Sequence, residues 1–455
     1  MEFEELSFAE APKIVEFPGS KSKKLLQHQR NIEGRALSYP ISIPIVMDVG
    51  RGATIKDVDG NIFIDFLSGA AVLAVGHCNP YVLEAVRKQQ DKITHTLDFP
   101  TEVRIELIEK IRKVMPSHLK DNVRVQFGGP TGSDAVEMAL KLARYYTDRH
   151  TIISFEGAYH GMTAGALSVS GGRYWKEKFV PLVPEVHFVP YAYCYRCPFH
   201  KAPETCALEC ASYLERVLDD PYSGVAHPAA VLIEPIQGEG GSLVPPDTYV
   251  KRIEEICRQY EVPFICDEIQ AGFCRTGKFF SFEHSHAVPD IIPISKALGG
   301  GFPLSGMAYR EEFDVWKKAT HIGTFRGNVS GMAAGVAVID FMVEHDLANY
   351  AKKIGDFILS QLAEIEKNSH IIGEVRGSGL MIGVEIVEDK ETKKPAQKLT
   401  EEIRRESYHR GAIFEIGGHY DNVIRFLPPL VITKELAEKG VAIFEEAVKR
   451  VEKRL

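Results

Sequence analysis

The sequence predicts an α/β protein: a mostly parallel sheet in a large domain, with a smaller α+β domain beside it. Two observations predict this. From about residue 100, apolar runs of strand length alternate with stretches of helical period, which implies a mostly parallel sheet covered on both faces. From about residue 330 this alternation gives way to long helices followed by isolated strands.

The elements follow in order. Residues 1 to about 40 are charged and weakly patterned, and read as an arm with one short helix. Residues 46–66 read as strands around Asp59-Gly60-Asn61, a strong hairpin turn between alternating apolar residues. A loop leads to a helix carrying Val82, Ala85, Val86 and Gln89 on one side. Ile105, Leu107, Ile108 and Ile111 mark the next helix. Strands are expected at 123–127, 152–155, 231–233 and 263–267, and helices at 133–146 and 249–260. Further on come helices at 333–345 and 350–367 and strands at 383–387 and 423–426. The amphipathic helix 434–453 follows, with Leu436, Val441, Phe444, Val448 and Val451 on one side. This divides the chain into residues 1–75 (arm and part of the small domain), 76–330 (large domain) and 331–455 (the rest of the small domain).

Composition narrows the function. With 455 residues, 45% hydrophobic and 25% charged, the chain can bury a large core. A net charge of -8 argues against general binding of nucleic acid or acidic membranes. The acidic start, Met1-Glu2-Phe3-Glu4-Glu5, is unlike a targeting peptide, and no apolar run reaches the roughly 18 residues of a membrane span. A cytoplasmic protein with reduced thiols is expected. Four of the eight cysteines fall together as Cys194, Cys197, Cys206 and Cys210. This spacing could close a structural tetrahedral zinc site, or leave free thiols on an excursion, or form disulfides in a thermophilic protein.

The chemistry gathers at strand ends, where parallel sheets bind ligands. The apolar run Ile291, Ile292, Ile294 ends in Ser295-Lys296, and Gly299-Gly300-Gly301 follow. A lone buried ammonium is costly, and a desolvated lysine is a good nucleophile towards an aldehyde. The strand 123–127 runs into Gly128-Gly129-Pro130-Thr131-Gly132-Ser133, a turn that can offer backbone N–H groups and a hydroxyl to a phosphate, although the serine could simply cap the helix. Tyr159 follows the strand 152–155 and can stack on a flat ring. Glu234 and Glu239 flank the turn after 231–233, with Glu239 placed for a substrate or an arginine. Asp267 ends a further apolar strand, where a carboxylate can keep a pyridinium nitrogen protonated. Together these residues describe a site for pyridoxal phosphate.

Across most of its length the chain resembles the class III aminotransferases, pyridoxal-phosphate enzymes of fold type I whose large domain holds a seven-stranded sheet. The resemblance is carried by Gly132-Ser133-Asp134-Ala135-Val136-Glu137, Tyr159-His160-Gly161, Glu234-Pro235-Ile236-Gln237-Gly238-Glu239-Gly240, Asp267-Glu268-Ile269-Gln270, Ser295-Lys296 and Thr324. It implies that Lys296 forms the Schiff base and moves the α-proton. It implies that Asp267 pairs with the ring nitrogen, that Gln270 faces the ring hydroxyl and that Tyr159 stacks on the ring. Gly132 and Ser133 would hold the phosphate, and Glu234 would stand in the cofactor site. The family is dimeric with sites at the subunit interface, so a homodimer or larger homo-oligomer is expected, with Thr324 reaching the neighbour's phosphate. Arg425 is the implied fork for a substrate carboxylate.

Two departures point to a branch. Many relatives acting on 4-aminobutyrate or ornithine have an arginine where this chain has Met162, and this chain has Arg326 where the pattern has glycine or alanine. A relocated carboxylate clamp follows. These departures resemble the 2,4-diaminobutyrate 4-aminotransferases, and Asp98 is then placed to pair with a diamino acid's second ammonium. The implied reaction moves the terminal amine of 2,4-diaminobutyrate, ornithine or lysine to 2-oxoglutarate. Racemases and epimerases of the same family, which also lack the arginine at the position of Met162, give the alternative.

Overall fold

The computed structural model describes residues 3–455. The chain forms two compact units, residues 1–80 with 350–455 and residues 81–349. Against the expected edges near 75 and 330, the return to the first unit comes later. The helix Val329–Glu344, read from sequence as opening the small domain, belongs to the large unit. Its apolar character on nearly every side explains this: Val329, Met332, Ala334, Val338 and Phe341 are all buried.

The first unit opens with β1 (Met47–Arg51), β2 (Thr54–Asp57) and β3 (Ile62–Phe66). β2 and β3 form the expected hairpin, with Thr54 opposite Ile64. Its turn is closed by Asp57, whose Oδ1 accepts from the Asp59 and Asn61 amides at 3.0 and 2.8 Å.

The large unit holds β4 (Val123–Phe127), β5 (Ile152–Phe155), β6 (Val186–Val189), β7 (Ala230–Ile233), β8 (Phe264–Cys266), β9 (Ile291–Ile294) and β10 (Gly306–Arg310). They form one seven-stranded sheet in the order β4-β10-β9-β8-β7-β5-β6. β5 through β9 are parallel, and β10 alone runs against its neighbours β9 and β4. β4 therefore points the same way as the parallel strands, and the carboxyl ends of β4, β5, β7, β8 and β9 share one edge. β5, β7, β8 and β9 are buried throughout, and the one hydroxyl among them, that of Ser154, donates to the Val169 carbonyl at 2.6 Å. The helix Gly132–Thr147 covers one face through Val136, Met138, Ala139, Leu142 and Ala143, in one core with Ile152, Leu232, Ile265 and Ile291.

The chain then returns to the first unit as β11 (Ile372–Ser378), β12 (Met381–Ile386), β13 (Ala412–Gly417) and β14 (Val423–Phe426). That unit's sheet also has seven strands, β1-β2-β3-β13-β14-β12-β11, with only β3 and β13 parallel. Phe66 stands at its centre against Phe414 and Phe426, at ring-centre distances of 4.9 and 5.2 Å. The helix Lys434–Glu452 crosses this cluster at Gly440, where an added Cβ would collide with the Phe66 ring. Glycine to alanine inside a helix normally gains about 1 kcal/mol. Here overpacking reverses the sign, and Gly440→Ala should lose about 1–3 kcal/mol. A lower denaturant midpoint checks this, and an unchanged one would mean that Phe66 moves aside freely.

Among the described residues no helix is long and apolar enough to cross a membrane. Cys194, Cys197, Cys206 and Cys210 line one cavity. Among the described residues no group of three or more His, Cys, Asp or Glu side chains is arranged to hold a metal. Cys206 instead donates to Glu209 at 3.0 Å, and burial pushes the Cys210 thiol up to about 12.

Candidate active site

The shared edge of the large sheet opens into a cavity holding about 590 Å³ of free space, part of it open to solvent. Every wall is the residue or turn that follows a strand. Gly132 and Ser133 come after β4, Tyr159, His160 and Gly161 after β5, Glu234 and Glu239 after β7, Asp267, Ile269 and Gln270 after β8, and Lys296 after β9. Seven residues expected in the cofactor and catalytic set line this one space: Gly132, Ser133, Tyr159, Glu234, Asp267, Gln270 and Lys296. Glu239, expected at the substrate, lines it too.

Lys296 is half-buried and begins a short 3₁₀ turn with φ 43°, a left-handed backbone that a lysine rarely adopts. Such strain persists only where the surroundings over-determine it. The Ser295 hydroxyl, donating to the Leu304 carbonyl at 2.8 Å, is one of the groups that fixes it. The helix after β4 is capped by Thr131, in a box with Asp134, and not by Ser133. The Thr131 amide and hydroxyl both reach Asp134 Oδ2, at 2.9 and 2.8 Å. Ser133 is thereby left at the cavity, its Oγ accepting from the Met162 amide at 3.2 Å. Gly161 closes tightly on it: with φ +127° and Ser133 where its Cβ would be, only glycine fits.

Asp267 is 3% exposed. Its Oδ1 accepts from the Ile269 amide at 3.0 Å, and its Oδ2 lies 2.7 Å from His160 Nδ1. The sequence singled out Tyr159 and passed over its neighbour His160, whose partner lies 107 positions on. Its Nε2 is buried without a hydrogen-bond partner. Tyr159 packs edge-on against Trp175, with ring centres 5.0 Å apart, a second contact that no sequence spacing announces.

Glu234 braces the opposite wall. Its Oε1 accepts from the Tyr159 amide and its Oε2 from the Gly238 amide, both at 2.8 Å. Tyr191 holds the same turn by donating to the Glu234 and Pro235 carbonyls at 3.2 and 2.9 Å. Burial pushes the Glu234 carboxyl from its ordinary 4.5 to about 7; His160 pulls it down and Asp267 pushes it further up. Burial likewise lifts the neighbouring Glu268 to about 8, against the pull of Ser281 and Phe282. Both folded values lie above the unfolded ones. The stability each group contributes is therefore complete below about pH 4.5 and lost as pH rises through about 7 to 8. The unfolding midpoint of Glu234→Gln, relative to the unaltered protein, should rise from about pH 5 to about pH 7 and then level off. A difference that stays flat would mean that Glu234 is already ionised at pH 5.

The remaining expected residues do not line this cavity. Asp98, Thr324 and Arg326 lie in the same unit and are not among the lining residues, with Asp98 and Thr324 exposed. Arg425 sits on β14 of the other unit, fully buried and opposite Glu415 and Gly383 in the ladder. Met162 is exposed.

The donor set fits pyridoxal phosphate. It offers helix N–H groups and a serine for an anion, a buried carboxylate for a pyridinium and an aromatic wall for a flat ring. A lysine amine is there for an aldehyde. The partnerless Nε2 of His160 and the cradle at Gly161 belong to a space shaped for a ligand.

A family model described as aminotransferase class-III matches residues 39–448. A diaminobutyrate–2-oxoglutarate aminotransferase of Rhizobium meliloti (strain 1021) is 41% identical over 90% of this chain and 88% of its own. An alanine/serine racemase of Pyrococcus horikoshii is 37% identical over 98% of this chain and 94% of its own. Among solved structures, the ornithine aminotransferase of Toxoplasma gondii ME49 superposes with a TM-score of 0.83 at 29% identity, covering 96% of this chain and 97% of that one.

Proposed function

The chain belongs to the class III aminotransferases, enzymes that depend on pyridoxal phosphate, and on that premise we propose that it transfers the terminal amine of a basic diamino acid, 2,4-diaminobutyrate foremost, to 2-oxoglutarate. One observation carries the choice of donor. Around Lys296 the cavity presents three carboxylates, Glu234, Glu239 and Asp267, and no arginine. Asp267 is committed to the ring nitrogen and Glu234 to two backbone amides. Their negative charge suits a donor that keeps a second positive charge after one amine has reacted.

Bound here, pyridoxal phosphate supplies an aldehyde that links to an amine and a ring that withdraws electrons from the adjoining carbon. The protein does the rest. Ser133 and the amides of the Gly132 turn anchor the phosphate. Tyr159 would stack on the ring, with Trp175 edge-on against it. Asp267, oriented by His160, keeps the ring nitrogen protonated. Gln270 faces the ring hydroxyl; Gly238 leaves room for its side chain, which would meet any Cβ there. Lys296 would supply the amine that holds the cofactor's aldehyde, and its Nζ would accept the proton from the donor carbon and hand it on within the site.

The exposed apolar side chains of Leu97, Phe99, Ile322 and Phe325 support a homodimer, in which Thr324 reaches the neighbour's phosphate. A cytoplasmic location, where thiols stay reduced, goes with this reading.

The test uses the protein loaded with pyridoxal phosphate and given L-2,4-diaminobutyrate, L-ornithine or L-leucine, with and without 2-oxoglutarate, followed by chiral separation. Glutamate should form only with the oxo acid, fastest from diaminobutyrate. A D-amino acid formed without any oxo acid would overturn the proposal in favour of racemisation, the activity named for the Pyrococcus relative.

A further inference from the structure

The charges around Lys296 do not balance the substrates. An oxo acid such as 2-oxoglutarate brings two carboxylates, while the residues lining the cavity include Lys296 and no arginine. The large unit gathers guanidinium groups elsewhere. Arg326 is ion-paired with Asp98, and the two differ in exposure: the Arg326 side chain is 17% exposed and that of Asp98 58%. Arg326 also donates to the His321 carbonyl at 2.6 Å. Arg104 lies alongside, donating to the Leu97 carbonyl at 3.0 Å and more weakly to that of Arg326 at 3.4 Å. Its basicity is lowered first by burial, then supported by Asp98 and reduced again by Arg326. Two guanidinium groups thus share one carboxylate, an excess of positive charge. The cluster is tied to the turn that leads to Ser133, because the Gly327 amide donates to the Gly128 carbonyl at 3.1 Å. Leu97, Phe99, Ile322 and Phe325 surround it, exposed.

We propose that this cluster forms the far end of the substrate site in a second copy of the chain, and that Asp98 and Arg326 work there as an exchangeable ion pair. This rests on the diamino-acid reading above. The positive cluster complements the carboxylate-lined cavity of the other copy, and the apolar rim seals the contact. A diamino donor attached through its terminal amine presents an α-ammonium and an α-carboxylate at its far end. Asp98 takes the ammonium and Arg326 the carboxylate. An oxo acid presents a carboxylate alone. Asp98, the exposed partner, then turns out to water at little cost, because an exposed ion pair is worth little. Arg326, held by His321 and mostly covered, stays to receive the anion.

The pair separates the two half-reactions, and the experiment reads them separately on the holoenzyme. Arg326→Gln should raise KM for both the diamino donor and 2-oxoglutarate by about 10-fold or more, the loss expected for a charge-assisted hydrogen bond. Asp98→Asn should raise KM for the donor by about 10-fold while leaving that for the oxo acid unchanged or lower, and Asp98→Glu should restore the donor. Calorimetric binding of glutarate, a dicarboxylate that cannot react, should weaken in Arg326→Gln and hold or tighten in Asp98→Asn. Mixing Lys296→Ala subunits with Arg326→Gln subunits should recover activity, since a mixed dimer then has one site with an intact lysine and the neighbour's intact arginine. Absence of recovery would overturn the contribution from a second copy. An Asp98→Asn variant that moves both KM values alike, or neither, would overturn the exchange. A holoenzyme that forms glutamate from no diamino acid would overturn the substrate reading and this pairing with it, whereas glutarate binding that still depends on Arg326 would retain the anion site alone.

Discussion

Replacing Lys296 by alanine should leave a folded protein whose transamination is slowed by about 10⁴-fold or more, the upper range for a positioned proton-transfer group. Two losses act together. No amine remains at the end of β9 to link with the cofactor's aldehyde, and no base remains to move the proton. The visible absorbance of lysine-linked cofactor should vanish, while far-ultraviolet circular dichroism stays unchanged. Lys296 is half-buried in a strained left-handed turn, so alanine removes the amine without opening the core. A visible band that persists in the variant would mean that another amine carries the cofactor.

Asp267→Asn should have the next largest effect, a fall in kcat of about 10²–10³-fold, the scale of removing one preorganised electrostatic partner. The asparagine keeps the size of the side chain and can still meet the Ile269 amide and His160. It cannot hold a proton on the ring nitrogen by charge. Cofactor affinity, followed by equilibrium dialysis, should fall with kcat. Asp267 and His160 also form a buried pair, and removing one partner of such a pair can cost about 3–5 kcal/mol, so an unfolding curve belongs beside the kinetics. A kcat within a few-fold of the unaltered enzyme would mean that the carboxylate does not face the ring nitrogen.

The residues lining the cavity were legible in the sequence because each is a local event, a short apolar strand running directly into its turn. Lys296, Asp267, Glu234, Tyr159 and Ser133 could be read that way with no knowledge of how the strands are ordered. The contacts between turns could not be read. His160 reaches Asp267 only because β5 and β8 end on the same edge, and Trp175 reaches Tyr159 through a segment without any period of its own. β10 escaped the reading because it follows β9 after a short connection with no crossover helix, so the alternation of strand and helix breaks there. β11 carries Gly373, Glu374, Arg376 and Gly377, and β13 carries Glu415, which dilutes their apolar pattern. The domain edge was misplaced for a related reason. The helix Val329–Glu344 looks like the start of a new pattern and is in fact the most thoroughly apolar covering of the old one.

The placement of the chemistry on five turns along one sheet edge also bears on how such a protein diverges. Glu239 lies in a turn and not in a strand, so substitution there can alter what the cavity accepts while the frame stays intact. Drift can proceed turn by turn, each step answering to selection on its own. That is how one architecture comes to hold relatives named for moving an amine and relatives named for inverting a stereocentre, at 41% and 37% identity to the same chain.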